Sequence, residues 1–338
     1  VKSYRLGKLG SLDALELRDD GESPLMPHEA RVRMHAASLN ARDIMIVQDS
    51  VPLGGTKPGV VPLSDGAGEV VEVGAAVTDL APGDRVATLF NARWIDGPPI
   101  ASYLGSALGG GCDGTLRQQA VFPAEGLVKL PKALSFLEGA ALGCASVTAW
   151  AALVGGPPLT AGQTVLVQGT GGVSLFALQF AKAAGARVIA LTSSDAKAER
   201  LKAIGADHVV NYLADPDWPG AVRALTDGAG VDRVIETGGP VTIERSVRAA
   251  AVGGHISIVG LTGGVEGSLS PLALLGGGLT VEGIIVGSRR HFLDSLKSIE
   301  ANAIRPVLDQ VFAFEDAKAA YQHMMDRKHI GKVILSIT

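Results

Sequence analysis

The sequence predicts an α/β protein, a doubly wound parallel sheet joined to a second, β-rich region. Three observations carry this. After Leu134, apolar runs alternate with amphipathic stretches at the spacing of βαβ units. A glycine-rich turn, Gly169-Thr170-Gly171-Gly172-Val173-Ser174, sits between a predicted strand and a predicted helix. Residues 1–125 read instead as short strands broken by Gly and Pro. At 338 residues the chain has a two-domain length. With 47 % hydrophobic and 19 % charged residues it has ample material for buried cores and does not fit a disordered chain.

In the first region Ala30–Ala36 and Gly68–Gly74 alternate as half-buried strands do, and a Pro82-Gly83 turn opens a third strand at Gly83–Ala87. Asn91–Gly114 is a long Gly- and Pro-rich stretch, expected to line or cover a cleft with Trp94 and Tyr103. Ser135 with Glu138 reads as a capping box. Thr164–Gln168 is a continuous apolar strand, followed by a helix over Ser174–Ala184 that Gly185 ends. Arg187–Thr192 is a second strand, and Ala196–Ile204 a helix stopped by Gly205. Further strands are predicted at His208–Tyr212, Asp232–Glu236, His255–Val259 and Leu279–Val286. The tail from His291 holds two helical stretches and a final strand, Lys332–Ile337, expected to return to the first region. The sixth strand, with its Ile284-Ile285-Val286 core, is expected at a sheet edge and predicts a homodimer.

Charge and cysteine content narrow the partners. Thirty basic against 34 acidic residues leave no surplus to neutralise a phosphate backbone, which argues against nucleic acid. No apolar run reaches the roughly 18 residues of a membrane span. Val1-Lys2-Ser3-Tyr4-Arg5 begins no apolar signal segment. Cys112 and Cys144 are too few for a disulfide framework or a four-cysteine zinc lobe, and suit a reducing cytoplasmic setting.

The glycine turn suits a dinucleotide. Gly169 permits the tight turn and Gly171 lets the backbone approach a pyrophosphate, with Thr170, Gly172 and Val173 completing the cradle at a helix N-terminus. Ser174 at the third small position predicts slightly looser helix–strand packing. The next strand ends in Leu191-Thr192-Ser193-Ser194, where an NAD site would place a carboxylate, and Asp195 lies one position too far. Ser193, Ser194, Lys197 and Tyr212 supply hydroxyl, ammonium and phenol donors suited to a 2′-phosphate, so the predicted cofactor is NADP(H). The alternative for Lys197 and Arg200 is a pair of solvated charges on a helix face.

Ser38-Leu39-Asn40-Ala41-Arg42-Asp43, Ser64-Asp65-Gly66-Ala67-Gly68-Glu69-Val70, Pro82-Gly83-Asp84-Arg85-Val86 and the glycine turn together resemble the medium-chain dehydrogenase/reductase family, over essentially the whole chain. The resemblance implies a GroES-like catalytic domain built from 1–128 and 290–338, with a Rossmann domain, 129–289, inserted. It also implies NAD(P)H-linked hydride transfer to a small-molecule substrate in the cleft between them. Zinc alcohol dehydrogenases of the family hold their metal on Cys, His and Cys; here those positions read Asn40, Ser64 and Cys144, so no metal site is expected. Cys144 is expected as a small buried residue on the helix that joins the domains. The chain then resembles the zinc-free branch of NADPH:quinone oxidoreductases and enone reductases. In that branch Asn40, Arg42 and Asp43 border the nicotinamide; many members carry Asn-Tyr where this chain has Ala41-Arg42. Arg42 is read either as an anchor for an anionic substrate or a phosphate or as an ion pair with a nearby acid such as Asp43 or Asp65, and the two acids as backbone supports. The alternatives are an alcohol dehydrogenase or ketone reductase, and a non-catalytic NADPH-binding protein.

Overall fold

The computed structural model describes residues 1–50 and 56–337. The chain divides into two compact units, Val1–Val147 with Gly287–Thr338, and Thr148–Val286.

The first unit is built on strands β1 (Lys2–Leu6), β2 (Leu15–Asp19), β3 (Glu29–Ser38), β4 (Asp65–Val73), β5 (Arg85–Thr88), β6 (Gln119–Pro123) and β7 (Leu127–Lys129). Its helices are α1 (Ala41–Val47), α2 (Ala101–Leu104) and α3 (Phe136–Ala140); α4 (Ala145–Val154) spans the division. Strands β3 and β4 pair antiparallel, and β6 adds to β3. Val32, Met34, Leu39, Leu63, Val70, Leu116 and Phe122 form the core beneath them. Gly83, at φ +92°, makes the turn into β5. Ser135 caps α3 as the sequence predicts, its hydroxyl accepting from Glu138 N–H. Because α3 packs on β3, β4 and β5, the expected division at 128/129 lies inside this unit. Within the Asn91–Gly114 segment Trp94 is buried, stacks on Tyr103 at 6.3 Å, and donates from Nε1 to the Gly97 carbonyl.

The second unit carries β8 (Thr164–Gln168), α5 (Gly172–Ala183), β9 (Arg187–Thr192), α6 (Asp195–Ile204), β10 (His208–Asn211) and α7 (Trp218–Ala224). It continues through β11 (Val231–Glu236), α8 (Ile243–Ala249), β12 (Ala250–Ile258), α9 (Pro271–Gly277) and β13 (Thr280–Gly283). The strands are parallel in the order β10-β9-β8-β11-β12-β13. The order reverses between β8 and β11, which is where ligands bind in such sheets. β8 is buried throughout, as a strand covered on both faces must be. Gly205, at φ +117°, ends α6. The sixth strand is shorter than expected: β13 is at the edge but stops at Gly283. Ile284 N–H still donates to the Ile258 carbonyl of β12 at 2.9 Å, and Val286, at φ +58°, then turns the chain into the left-handed region.

The tail returns to the first unit through α10 (Arg289–Ala301), β14 (Leu308–Ala313), α11 (Ala317–Met325) and β15 (Lys332–Ser336). β14 was not legible in the sequence. β15 runs antiparallel beside β3, with Ile334 opposite Ser38. Among the described residues no helix is long and apolar enough to cross a membrane.

Candidate functional site

Three neighbouring strands of the first unit converge on one buried cluster. Ser38, at the end of β3, pairs with Asp65 at the start of β4 and with Ile334 of β15. Extending the antiparallel β3–β15 register by two residues sets Lys332 beside Asn40, and Leu39 N–H donates to the Val333 carbonyl at 3.1 Å. Lys332 is 3 % exposed. Its ammonium donates to the Leu39 carbonyl at 2.7 Å and to Asn40 Oδ1 at 2.5 Å, and lies 3.5 Å from Asp65 Oδ2. Asn40 Nδ2 donates to Ser64 Oγ at 3.4 Å, and the Ser64 hydroxyl donates to Asp65 Oδ1 at 2.8 Å. The contacts close a ring: Lys332, Asn40, Ser64, Asp65. Asp65 Oδ2 also accepts Cys144 N–H at 3.0 Å, which fixes the approach to α4.

The segment before Ser64 is strained. Leu63 is fully buried at φ +69°, where a non-glycine residue costs roughly 1–2 kcal/mol. Gly109 and Gly114 allow the close approach: a Cβ on Gly114 would stand 1.9 Å from the Leu63 carbonyl oxygen.

Asn40 is the N-cap of α1. Its N–H donates to Asp43 Oδ2 at 2.7 Å, while its side chain serves the ring. Asp43 is buried, and desolvation pushes its carboxyl up to about 6 against the opposing charge of Arg42. Asp43 and Asp65 thus hold backbone N–H groups, as expected. Arg42 makes neither expected ion pair within salt-bridge range. Its guanidinium sits 4.0 Å over the Phe90 ring and donates to the Leu108 carbonyl. Tyr321 of α11 is fully buried, and that burial, with the Asp43 charge, raises its phenol well above the usual range. Cys144 corrects an expectation: it precedes α4 and is only partly buried. Desolvation of the thiol, with Asp65 nearby, pushes it up to about 12.

The second unit carries the predicted cradle at the end of β8. Gly169 has φ +77° and donates its N–H to the Leu191 carbonyl. Gly171 is the N-cap of α5 and has no side chain to cap the first turn. A Cβ at Gly171 would meet nothing within 4 Å, so the chain's own packing does not require glycine there. That open space above a helix N-terminus fits a pyrophosphate. Ser174 does not loosen the packing as expected: it is 1 % exposed and donates to the Gln168 carbonyl at 2.6 Å, tying α5 to β8.

At the ends of β9 and β10, Tyr212 N–H donates to the Thr192 carbonyl at 2.9 Å, which brings Ser193 and Tyr212 into one neighbourhood. Tyr212 is 38 % exposed. Ser194 Oγ caps α6 by accepting Lys197 N–H at 3.3 Å, and Lys197 is half-buried. Asp195 accepts from Asn211 Nδ2 at 2.9 Å.

Three buried polar supports of these segments escaped sequence reasoning. Lys332 is one; its only signal is a lysine heading an apolar strand. Gln168 and Glu236 are the others. Glu236 is fully buried at the end of β11, accepting from Gly238 and Gly239 N–H at 2.8 and 2.9 Å and from Gln168 Nε2 at 2.9 Å. Thr242 and Ser246 hydroxyls complete its shell. The pair stiffens the Thr237–Thr242 turn at the sheet's switch point.

The residues at the family's zinc positions do not fit that metal. Asn40 Oδ1 accepts an ammonium and the Ser64 hydroxyl is spent on Asp65, which leaves the Cys144 sulfur as the one soft ligand of the three positions. Among the described residues no group of three His, Cys, Asp or Glu is placed to hold a metal.

Comparison with known proteins agrees with this architecture. Residues 26–132 match the model of the alcohol dehydrogenase GroES-like domain, and 172–301 that of zinc-binding dehydrogenase. A zinc-type alcohol dehydrogenase-like protein of Schizosaccharomyces pombe is 44 % identical, covering 93 % of this chain and 92 % of its own. A quinone oxidoreductase of Pseudomonas aeruginosa is 30 % identical over 99 % of both. The solved structure of an NAD-dependent alcohol dehydrogenase superimposes with a TM-score of 0.90 at 34 % identity, covering 100 % of both chains. With a GroES-like domain, a Rossmann-like parallel sheet and relatives matched along nearly its full length, the chain belongs to the medium-chain dehydrogenase/reductase family of oxidoreductases.

Proposed function

We propose that this chain is a zinc-independent, NADPH-dependent reductase acting on a quinone or an activated enone. The observation that carries the reading is the Lys332–Asn40–Ser64–Asp65 ring, whose members bond to one another where the family's zinc branch has ligands. A ketone is a weak hydride acceptor and normally needs a Lewis acid. Quinones and enones accept hydride with help from a hydrogen-bond donor alone.

NADP(H) is supported by Gly169, Thr170, Gly171, Gly172 and Val173 for the pyrophosphate, and by Ser193, Ser194, Lys197 and Tyr212 for the 2′-phosphate. When bound, the dinucleotide supplies the hydride. Asn40 then holds the acceptor's carbonyl oxygen through its amide N–H and stabilises the negative charge that develops there, with the final proton drawn from water. Asp43 sets the position of Asn40 through its backbone N–H. Arg42, already bonded to Leu108 and stacked on Phe90, supports the loop beside the site rather than an anionic substrate. Two free cysteines support a cytoplasmic setting, and the edge position of β13 supports a homodimer.

The test combines metal analysis with an acceptor screen. Dialysed protein should hold well under one zinc per chain and oxidise NADPH with quinones or enones despite chelator. Stoichiometric zinc, or activity with alcohols and ketones alone, would move the assignment to an alcohol dehydrogenase. Cofactor binding with no turnover on any acceptor would leave a non-catalytic binding protein.

A further inference from the structure

Lys332 has no assigned role, yet it is a nearly fully buried ammonium at the centre of the site. Its contacts are unequal. It lies 2.5 Å from Asn40 Oδ1 but 3.5 Å from Asp65 Oδ2, and the carboxylate is drawn away by the Ser64 hydroxyl and Cys144 N–H. An ammonium has no acceptor capacity, so it fixes which end of the Asn40 amide faces it. A flipped amide would set two donors against each other. Nδ2 therefore faces away from Lys332 and carries two N–H groups, of which the ring uses one. Positive charge at Oδ1 also polarises the amide and strengthens the remaining N–H as a donor.

We propose that Lys332 is the fixed cation of this site and a positioning residue for Asn40: through the amide it supplies the positive charge that the zinc-bearing branch takes from a metal. The ligand it favours is the oxyanion of a conjugated carbonyl, an enolate or a phenolate. This deepens the reductase reading and rests on it for the role of Asn40.

The probe is 4-nitrophenol, whose absorbance reports its ionisation and whose binding needs no turnover. Wild type should bind the phenolate in preference, lowering the apparent pKa of the bound probe by about one unit, a tenfold preference. Lys332→Met alone would strand the Asp65 carboxylate, so the informative variant is Lys332→Met with Asp65→Asn. It should lose the shift, as should Asn40→Ala, and combining Asn40→Ala with the pair should lose nothing more. Retention of the full shift in the Lys332/Asp65 pair, or additive losses, would overturn the proposal. If that pair does not fold, Asp65→Asn alone decides. Freed of its carboxylate, the ammonium should deepen the shift; an unchanged or smaller shift overturns the proposal. The two readings fail separately. A normal shift without NADPH oxidation on any acceptor refutes the reductase alone, and normal turnover without a shift refutes Lys332 alone.

Discussion

Replacing Asp43 with asparagine should make the fold more stable than wild type at neutral pH, with the advantage fading in mild acid. Asp43 is buried and takes up its proton at about 6 in the folded chain. Unfolded, it does so near the ordinary aspartate value of about 3.9. Between these values the folded state holds a proton that the unfolded state has released, so stability falls as pH rises. Above about pH 6 the whole penalty is present, about two pKa units or about 3 kcal/mol. Asparagine removes it and keeps an oxygen to accept Asn40 N–H, now at 2.7 Å. Its NH2 group meets the side where Asp43 Oδ1 has no hydrogen-bond partner, a cost of roughly 1–3 kcal/mol that does not change with pH. The pH-independent offset cancels when the variant is compared with wild type at two pH values. The stability difference should grow by about 2 kcal/mol between about pH 4.5 and 7.5. Urea unfolding followed by tryptophan fluorescence measures it. A difference that stays flat across that range would refute the burial argument for Asp43.

The cofactor reading leads to two further substitutions. Lys197→Ala should raise the NADPH KM about tenfold and leave NADH nearly unchanged, since a charge-assisted bond from a half-buried lysine is worth roughly 1.5 kcal/mol. Steady-state kinetics with both cofactors decides, and equal weakening of both removes Lys197 from the 2′-phosphate. Gly171→Ala should fold normally, because its φ of −74° suits alanine and its Cβ has open space, yet weaken dinucleotide binding tenfold or more. An unchanged Kd by fluorescence titration would mean that no ligand approaches there. Light scattering at micromolar concentration should give a homodimer, and a monomer would remove the role assigned to the β13 edge.

Local pattern was enough to read the second unit from the sequence. Apolar strands, glycine stops at Gly185 and Gly205 and the Gly169–Val173 turn are all written within short windows, and every strand pair but β8–β11 joins consecutive strands of the chain. The edge position of the sixth strand was legible but its end was read too far, because Val286 turns into the left-handed region shortly after Gly283, which apolar character does not reveal. The acids of the first unit were legible as backbone supports, since Asp43 lies one helical turn from the N–H it holds and the Asp65 motif is distinctive. Arg42 was not, because its partners, Phe90 and the Leu108 carbonyl, come from loops whose course depends on packing. The sequence by itself determined the two fold types, the cradle and the loss of two zinc-ligand side chains at Asn40 and Ser64. Only the tertiary structure decided what stands among them: β15 must pair with β3 before Lys332, 292 residues along the chain, reaches Asn40. Strand register across that separation is set by burial of Val333 and Leu335 in the core, a long-range choice that no local window contains.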